Sequence, residues 1–200
     1  MAQFKRITPD LVAGALQHLR DNFFADEPLN KAVQLCERGQ AHAALERLCT
    51  ATMADGLSVA VVEDDTVSME SIDKIQQSSD AKFNKIFTIL YTVSRDLDLF
   101  DTFDVDRILE CRIISVADQA RGRGLAKELM KKSIQIAREH DFKLFKVDAT
   151  GAFSQRICSS LGLRELRKVR YAEYCDSAGQ PVFSVPLHFL FKAVFVVLMY

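Results

Sequence analysis

Residues Arg107 to Ala137, RILECRIISVADQARGRGLAKELMKKSIQIA, constrain the fold of this chain more than any other stretch. Cys111 to Val116 (CRIISV) is a short, apolar, β-branched run, the pattern of a strand buried in a sheet. Gln119-Ala120-Arg121-Gly122-Arg123-Gly124 follows, with two of the chain's 8 glycines flanking a single residue. Next, Leu125, Ala126, Leu129, Met130, Ser133, Ile134 and Ala137 share one helical face. Lys127, Glu128, Lys131, Lys132, Arg138 and Glu139 occupy the other face. The order strand, glycine loop, amphipathic helix predicts an α/β chain with this helix packed on a sheet.

Glycines between a strand and a helix let several backbone N–H groups converge where no side chain intrudes, at the positive end of the helix dipole. Arg121, Arg123 and Lys127 add formal positive charge, so the loop suits a phosphorylated ligand. A plain connecting turn would use glycine in the same way. A Walker loop needs Lys-Ser/Thr after its second glycine, but Leu125-Ala126 stands there. A dinucleotide fingerprint needs a third glycine, and Ala126-Lys127 does not supply it.

The pattern Gln-x-x-Gly-x-Gly, with IISV before it and LAKELM after it, resembles the pyrophosphate loop of the GNAT superfamily of acetyl-CoA-dependent N-acetyltransferases. That resemblance implies a mixed α/β (α+β-like) fold, with a central sheet of about seven strands flanked by helices and a cofactor cleft between splayed central strands. It implies acetyl-CoA as cosubstrate. The pyrophosphate would take N–H groups from Gln119 through Ala126, namely Gln119, Arg121, Gly122, Arg123, Gly124, Leu125 and Ala126. The pantetheine would pair with Ile114, Ser115 and Val116, and a backbone N–H near Val116 would polarise the thioester carbonyl.

A chain of 200 residues suits one domain, here read as residues 1–200. The net charge of -1 argues against broad attraction to nucleic acid. MAQFKRITPD carries no apolar signal segment, and the 5 cysteines (Cys36, Cys49, Cys111, Cys158, Cys175) are unclustered, as expected of reduced thiols in the cytoplasm. The four histidines are scattered without metal-ligand spacing, so no metal is expected. Val182 to Tyr200 (VFSVPLHFLFKAVFVVLMY) approaches membrane-spanning length, but Pro186, His188 and Lys192 favour a final sheet strand over a membrane anchor. A monomer or weak dimer is expected.

Taken in order, Gln3 to Ile7 reads as a first strand, and Thr8-Pro9-Asp10 opens a helix with Thr8 as its N-cap. Ala41 to Thr52 is a further helix, Leu57 to Val62 a strand, and Glu63-Asp64-Asp65 a turn into a strand over Thr66 to Ile72. Lys74 to Asp80 reads as loop. Ala81 to Leu99 is a helix whose Phe83, Ile86, Phe87, Leu90 and Val93 form a core stripe. Asp98, Leu99, Phe100 and Phe103 then belong to the core or border an acceptor site. Phe142 to Val147 is a strand, Ala152 to Leu161 a helix closed by Gly162, and Glu165 to Tyr174 a strand.

Asn22-Phe23-Phe24-Ala25-Asp26-Glu27-Pro28-Leu29-Asn30 admits two readings. As punctuation, Pro28 opens a helix with Asp26 and Glu27 at its positive end. As a site, Phe23, Phe24 and Pro28 would wall in an aromatic amine while Asp26 and Glu27 attract or deprotonate its ammonium. FF-x-DEPL, followed far along the chain by RGxGLA, resembles the insect arylalkylamine N-acetyltransferase group. The resemblance implies Glu27 as general base acting through water, with an amine such as dopamine, serotonin or tyramine as acceptor. The segment TGAFSQRICSSLGL resembles the superfamily's helix beside the pantetheine, with Cys158 where many members carry an acidic tyrosine and Ser154 matching the insect group's serine as general acid. Val67-Ser68-Met69-Glu70-Ser71-Ile72 departs from the family's apolar third strand, which bears on amine preference. Two other readings stay open: a same-fold enzyme acting on a polyamine or another small amine, and a non-catalytic acyl-CoA-binding protein.

Overall fold

The structure, a computed structural model, describes residues 3–63, 66–68, 78–176, 179–183 and 192–199. Their strands form two sheets. In the first, β1 (Gln3–Arg6) pairs antiparallel with β2 (Val59–Glu63), which pairs antiparallel with β3 (Thr66–Ser68). The expected continuation over Met69 to Ile72, the turn at Asp64-Asp65 and most of the Lys74 loop lie outside the described residues. Between β1 and β2 run α1 (Val12–Asn22), α2 (Pro28–Val33) and α3 (Ala43–Met53). Thr8 does not cap with its side chain. Pro9 instead opens a short 3₁₀ turn that leads into α1.

The second sheet follows the central motif. β4 (Ile108–Cys111) lies parallel to β5 (Leu144–Ala149), and the crossover between them is α6 (Leu125–Glu139). One face of β4 and β5 (Leu109, Cys111, Phe145, Val147, Ala149) packs with Met130, Ile134 and Ala137 of α6 and with Cys158 of α7 (Ala152–Ser160). Cys158 is 1% exposed, as a packing residue should be. Gly162 follows α7 at φ +78, with Leu163 N–H reaching back to Cys158 O, which is why glycine ends this helix.

The last strand, β7 (Lys192–Met199), is antiparallel to β5 on one side and to β6 (Arg164–Arg170) on the other. Its apolar composition therefore belongs to an interior strand. The expected segment from 184 to 191 lies outside the described residues, and among those described no helix is long and apolar enough to cross a membrane.

Two sequence expectations are corrected. The predicted helix from Ala81 to Leu99 is two helices, α4 (Ala81–Asp96) and α5 (Leu99–Phe103), with Asp98 and Asp104 at positive φ on either side of α5. The short polar residues at those two positions tolerate the left-handed conformation. Leu99 and Phe103 pack in a small cluster with Leu144 and Ile108. The predicted strand Cys111 to Val116 is also shifted, because its ladder stops at Cys111. Beyond it the chain leaves β5 and turns toward α1, where Ser115 Oγ lies 2.9 Å from His18 Nε2 with both residues buried.

Burial holds the His18 imidazole at a pKa of about 4 against 6.5, with Asp21 pulling up and Arg121 pushing down. The neutral ring is the one the fold accepts, so this contribution to stability is present above pH 6.5 and is lost as pH falls toward about 4. Between pH 7 and pH 5 it should remove about 2 kcal/mol. Urea unfolding of wild type and His18→Gln at both pH values should show the variant losing less stability on acidification by about that amount.

Candidate functional site

Pro28 starts α2, and the residue before it becomes the cap. Glu27 Oε2 accepts the Asn30 N–H at 2.7 Å, while the Asn30 side chain donates to Phe24 O at 2.8 Å. The turn is tightened by Asp26 and Glu27 N–H groups that both donate to Phe23 O. Glu27 Oε1 is shut off from solvent and has no hydrogen-bond partner among the described residues. Burial pushes this carboxyl above the usual carboxylate range, against the opposing pull of the Asn30 N–H, the Thr150 hydroxyl and the Leu29 N–H. Punctuation and site thus coincide in one residue, whose first oxygen caps a helix, whose second is buried without a partner, and which lines a cavity.

That cavity has a volume of about 230 Å³. Phe23, Phe24, Leu45, Leu48, Ile86, Phe87 and Leu90 give it an apolar wall, and Glu27, Thr150 and Ser154 meet at one end. A close approach between segments makes this junction. A Cβ placed on Gly151 would lie 3.4 Å from Pro28 Cγ, so the start of α2 and the start of α7 touch. Ser154 Oγ accepts the Gly151 N–H at 3.4 Å and donates to Gly151 O at 2.8 Å, so its hydroxyl closes the start of α7 while the residue also lines the cavity. Tyr171, fully buried, donates to Thr150 O at 3.1 Å. Burial raises its hydroxyl well above the usual phenol range, and the Glu27 and Asp148 carboxylates add to that.

Two expected substrate contacts are corrected. Asp26 is exposed and ion-paired with Arg38, and neither it nor Pro28 is part of the cavity wall. Carbonyl-side geometry explains this, since the turn that aims Glu27 inward aims its neighbour outward. Asp98, Leu99, Phe100 and Phe103 do not line the cavity either. The α4 stripe does: Ile86, Phe87 and Leu90 are both core and wall.

Sequence reasoning overlooked the opposite wall. The sequence reading takes CRIISV as an apolar run and FKLFKV as a strand, yet alternate residues on the cavity side are charged: Glu110 of β4 and Arg112 just beyond it, and Lys146 and Asp148 of β5. Glu110 and Lys146 are register partners, and their side chains form an ion pair. Lys146 Nζ also lies 2.8 Å from Asp148 Oδ2, and Arg112 lies 3.0 Å from Glu110 Oε2. Burial alone would raise the Glu110 carboxyl, but the Lys146 and Arg112 charges outweigh it and hold it low. Asp148 goes the other way: burial pushes it up, Lys146 pulls it down and Glu110 pushes it up again. Burial would lower Lys146, and the two carboxylates outweigh that and raise it. The signal in the sequence was the period-two pattern Glu-x-Arg and Lys-x-Asp within strands otherwise apolar.

The glycine loop lies at the N-terminus of α6. Gly122 and Gly124 have φ of +78 and +77, a conformation that side chains rarely adopt, and Gly124 is the N-cap position of the helix. The N–H groups of Leu125 and Ala126, in the first turn of α6, have no carbonyl in a preceding turn. Residues 112–117, which carry Ile114, Ser115 and Val116, have no strand neighbour in the described ladders, so an extended ligand can pair there. The loop thus fits a phosphorylated ligand with an extended arm. Arg121 is already engaged: it donates to Val116 O at 3.2 Å and pairs with Asp118 at 2.8 Å. Arg38 bridges Asp118, at 2.7 Å, and Asp26. Among the described residues no group of three His, Cys, Asp or Glu could hold a metal ion.

The chain resembles known proteins in the same regions. The model of the acetyltransferase (GNAT) family matches residues 98–162. Along 99% of this chain and 98% of its own, arylalkylamine N-acetyltransferase 2 from Aedes aegypti is 36% identical, with a TM-score of 0.91. The Drosophila melanogaster polyamine N-acetyltransferase that forms N-acetylagmatine shares the fold at 20% identity and a TM-score of 0.86, with each chain covered 100%. A mosquito arylalkylamine N-acetyltransferase like 5b shares it at 16% identity and a TM-score of 0.87, again with each chain covered 100%.

The charged strip makes a stability prediction. Lys146 is 6% exposed and carries the pairing of both carboxylates. Lys146→Met should cost about 3–5 kcal/mol, because Asp148 loses its counter-ion and Glu110 keeps only Arg112. Denaturant unfolding at neutral pH measures it, and the loss should shrink at acid pH as the carboxyls become neutral.

Proposed function

The chain belongs to the acetyltransferase (GNAT) family and is an acyltransferase, and on that premise we propose that it acetylates the primary amine of an arylalkylamine by direct attack in a ternary complex. Acetyltransferases of this family use acetyl-CoA, which supplies the acetyl group as a thioester. The observation that carries the reading is Glu27, a buried carboxyl with one oxygen unpartnered, at the end of a cavity walled by Phe23, Phe24 and Phe87.

Gln119, Arg121, Gly122, Arg123, Gly124, Leu125 and Ala126 hold the pyrophosphate, and Ile114 to Val116 offer the free backbone edge to the pantetheine. An alkylammonium has no lone pair and titrates near 10, so the acceptor must lose a proton before it can attack. Glu27 Oε1 takes that proton through water. Its raised affinity for protons brings it nearer the operating pH, which is what a general base needs. Ser154, at the same end of the cavity, returns a proton to the departing sulfur. Phe23 and Phe24 in the turn after α1 and Phe87 on α4 orient the amine, and much of the acceleration comes from holding the two reactants in place. The insect arylalkylamine N-acetyltransferase 2, alike over nearly the whole chain, supports the choice of acceptor.

Thiol release from acetyl-CoA with dopamine, serotonin, tyramine, tryptamine and spermidine tests the reading. Aromatic amines should turn over, with kcat/KM falling on the acid side at a pH above the ordinary carboxylate range. Glu27→Gln should lose about 10²–10⁴ in kcat/KM near neutral pH and regain part of it at high pH, where more of the amine is already free. Release with spermidine alone would replace the aromatic acceptor by a polyamine. Gly124→Ala, strained at φ +77, should raise KM for acetyl-CoA and leave the KM for the amine close to wild type.

A further inference from the structure

His18 is a buried ionisable side chain that the chemistry proposed above does not use. It lies on α1, is 5% exposed and is not part of the cavity wall. Its partner Ser115 is 4% exposed and sits in the middle of the backbone edge at Ile114 to Val116. That edge needs something to hold it, because the described ladder with β5 ends at Cys111.

Two kinds of contact tie the edge to α1. Ile113 buries itself in the core cluster that contains Ala15 and Leu19. Burial of this kind has no direction, so by itself it tolerates sliding along the chain. Hydrogen bonds do have direction, and two of them fix the register. His18 Nε2 lies 2.9 Å from Ser115 Oγ, and Asn22 Oδ1 accepts the Asp118 N–H at 3.3 Å. His18 and Asn22 stand one turn apart on α1, about 6 Å along its axis, so the pair sets both the position and the direction of the edge.

The imidazole is itself oriented. Asn22 Nδ2 donates to His18 O at 3.1 Å and lies 3.5 Å from His18 Nδ1. Because Oδ1 is spent on Asp118, the atom facing Nδ1 is a donor, which places the ring proton on Nε2 and makes Ser115 Oγ its acceptor. Burial keeps the ring neutral, with a pKa of about 4. The contact supplies placement and no charge. Placement is what an extended ligand arm needs from a backbone edge, since its hydrogen bonds work only over about 2.7–3.2 Å.

Resting on the cofactor placement above, we propose that His18 is a positioning residue for the acyl donor: acting through Ser115, with Asn22 at Asp118 as the second point of attachment, it holds the edge at Ile114 to Val116 in register with the pantetheine arm of acetyl-CoA. Affinity for that arm is therefore set in part by α1, outside the glycine loop and the strand before it.

Calorimetric titration of the full chain, with no amine present, tests this. His18→Leu removes the donor and should raise the Kd for acetyl-CoA about tenfold, the worth of one net hydrogen bond. The nucleotide half of coenzyme A (ADP phosphorylated on its ribose) has no pantetheine arm, and its Kd should stay within about twofold of wild type. His18→Gln, whose amide can still donate to Ser115 Oγ, should recover most of the acetyl-CoA affinity. Ser115→Ala should match His18→Leu, and the double variant should bind no more weakly than either single one. In turnover, KM for acetyl-CoA should rise while kcat at saturation stays near wild type. A merely structural role lowers the competent fraction, and so the stoichiometry and kcat, with Kd unchanged; that result overturns the proposal. An equal loss of affinity for the nucleotide half overturns it too. If His18→Leu does not fold, Ser115→Ala decides, and an unchanged acetyl-CoA Kd in it is fatal to the idea. The titrations contain no acceptor, so failure of the arylalkylamine reading does not touch them, whereas a wild-type chain that binds no acetyl-CoA removes both.

Discussion

The parting of two neighbouring chains governs this molecule. β4 and β5 pair from Ile108–Leu144 to Cys111–Val147, and then only β5 goes on, with β7 as its partner to Ala149. From Arg112 onward the other chain belongs to α1, through Ser115 and His18. A sheet that stayed zipped would leave no free backbone edge at Ile114 to Val116 and no cavity between the strands and α3 and α4. A buried neutral imidazole, which gives up solvation in return for contacts with the Ser115 hydroxyl and the Asn22 amide, stands where the strands separate.

The site depends on that separation from both sides. Glu27 reaches it from a tight turn at the start of α2, while Thr150 and Ser154 reach it from the end of β5 and the start of α7. The charged strip under the helical roof is an expensive structure in pure stability terms, because buried ion pairs seldom repay their desolvation better than apolar side chains would. Three alternate positions in β4 and β5, with Arg112 just beyond β4, are given to it even so, while the opposite face of the same strands is uniformly apolar. Function accounts for such an asymmetry more readily than folding does.

Local signals exposed much of this in the sequence. The glycine pair after a β-branched run and before an amphipathic stripe located the loop and α6, because a positive φ and a helical face each leave a mark on residue types. Pro28 marked the start of α2 and with it Glu27. Signals that depend on tertiary context were weaker. Where β4 stops pairing is set by Ser115 meeting His18, residues far apart in the chain, and nothing in CRIISV announces it. Asp26 and Glu27 look equivalent in sequence, and only the turn sends one out to Arg38 and the other inward. The break between α4 and α5 rests on two aspartates at positive φ, a conformation asparagine and aspartate tolerate but do not demand. The charged strip was legible by its alternation and was masked by the apolar residues between.

The two ionic assemblies differ in what surrounds them. Arg38, with Asp26, Asp118 and Arg121, stands at the surface and ties the turn that carries Glu27 to the loop that precedes α6. The strip of Glu110, Arg112, Lys146 and Asp148 lies inside. Dissolved salt screens the first over about 8–10 Å at ordinary ionic strength and screens the buried second much less. The tie between the molecule's two working loops is therefore set by the medium, and the lining of its cavity by the chain alone.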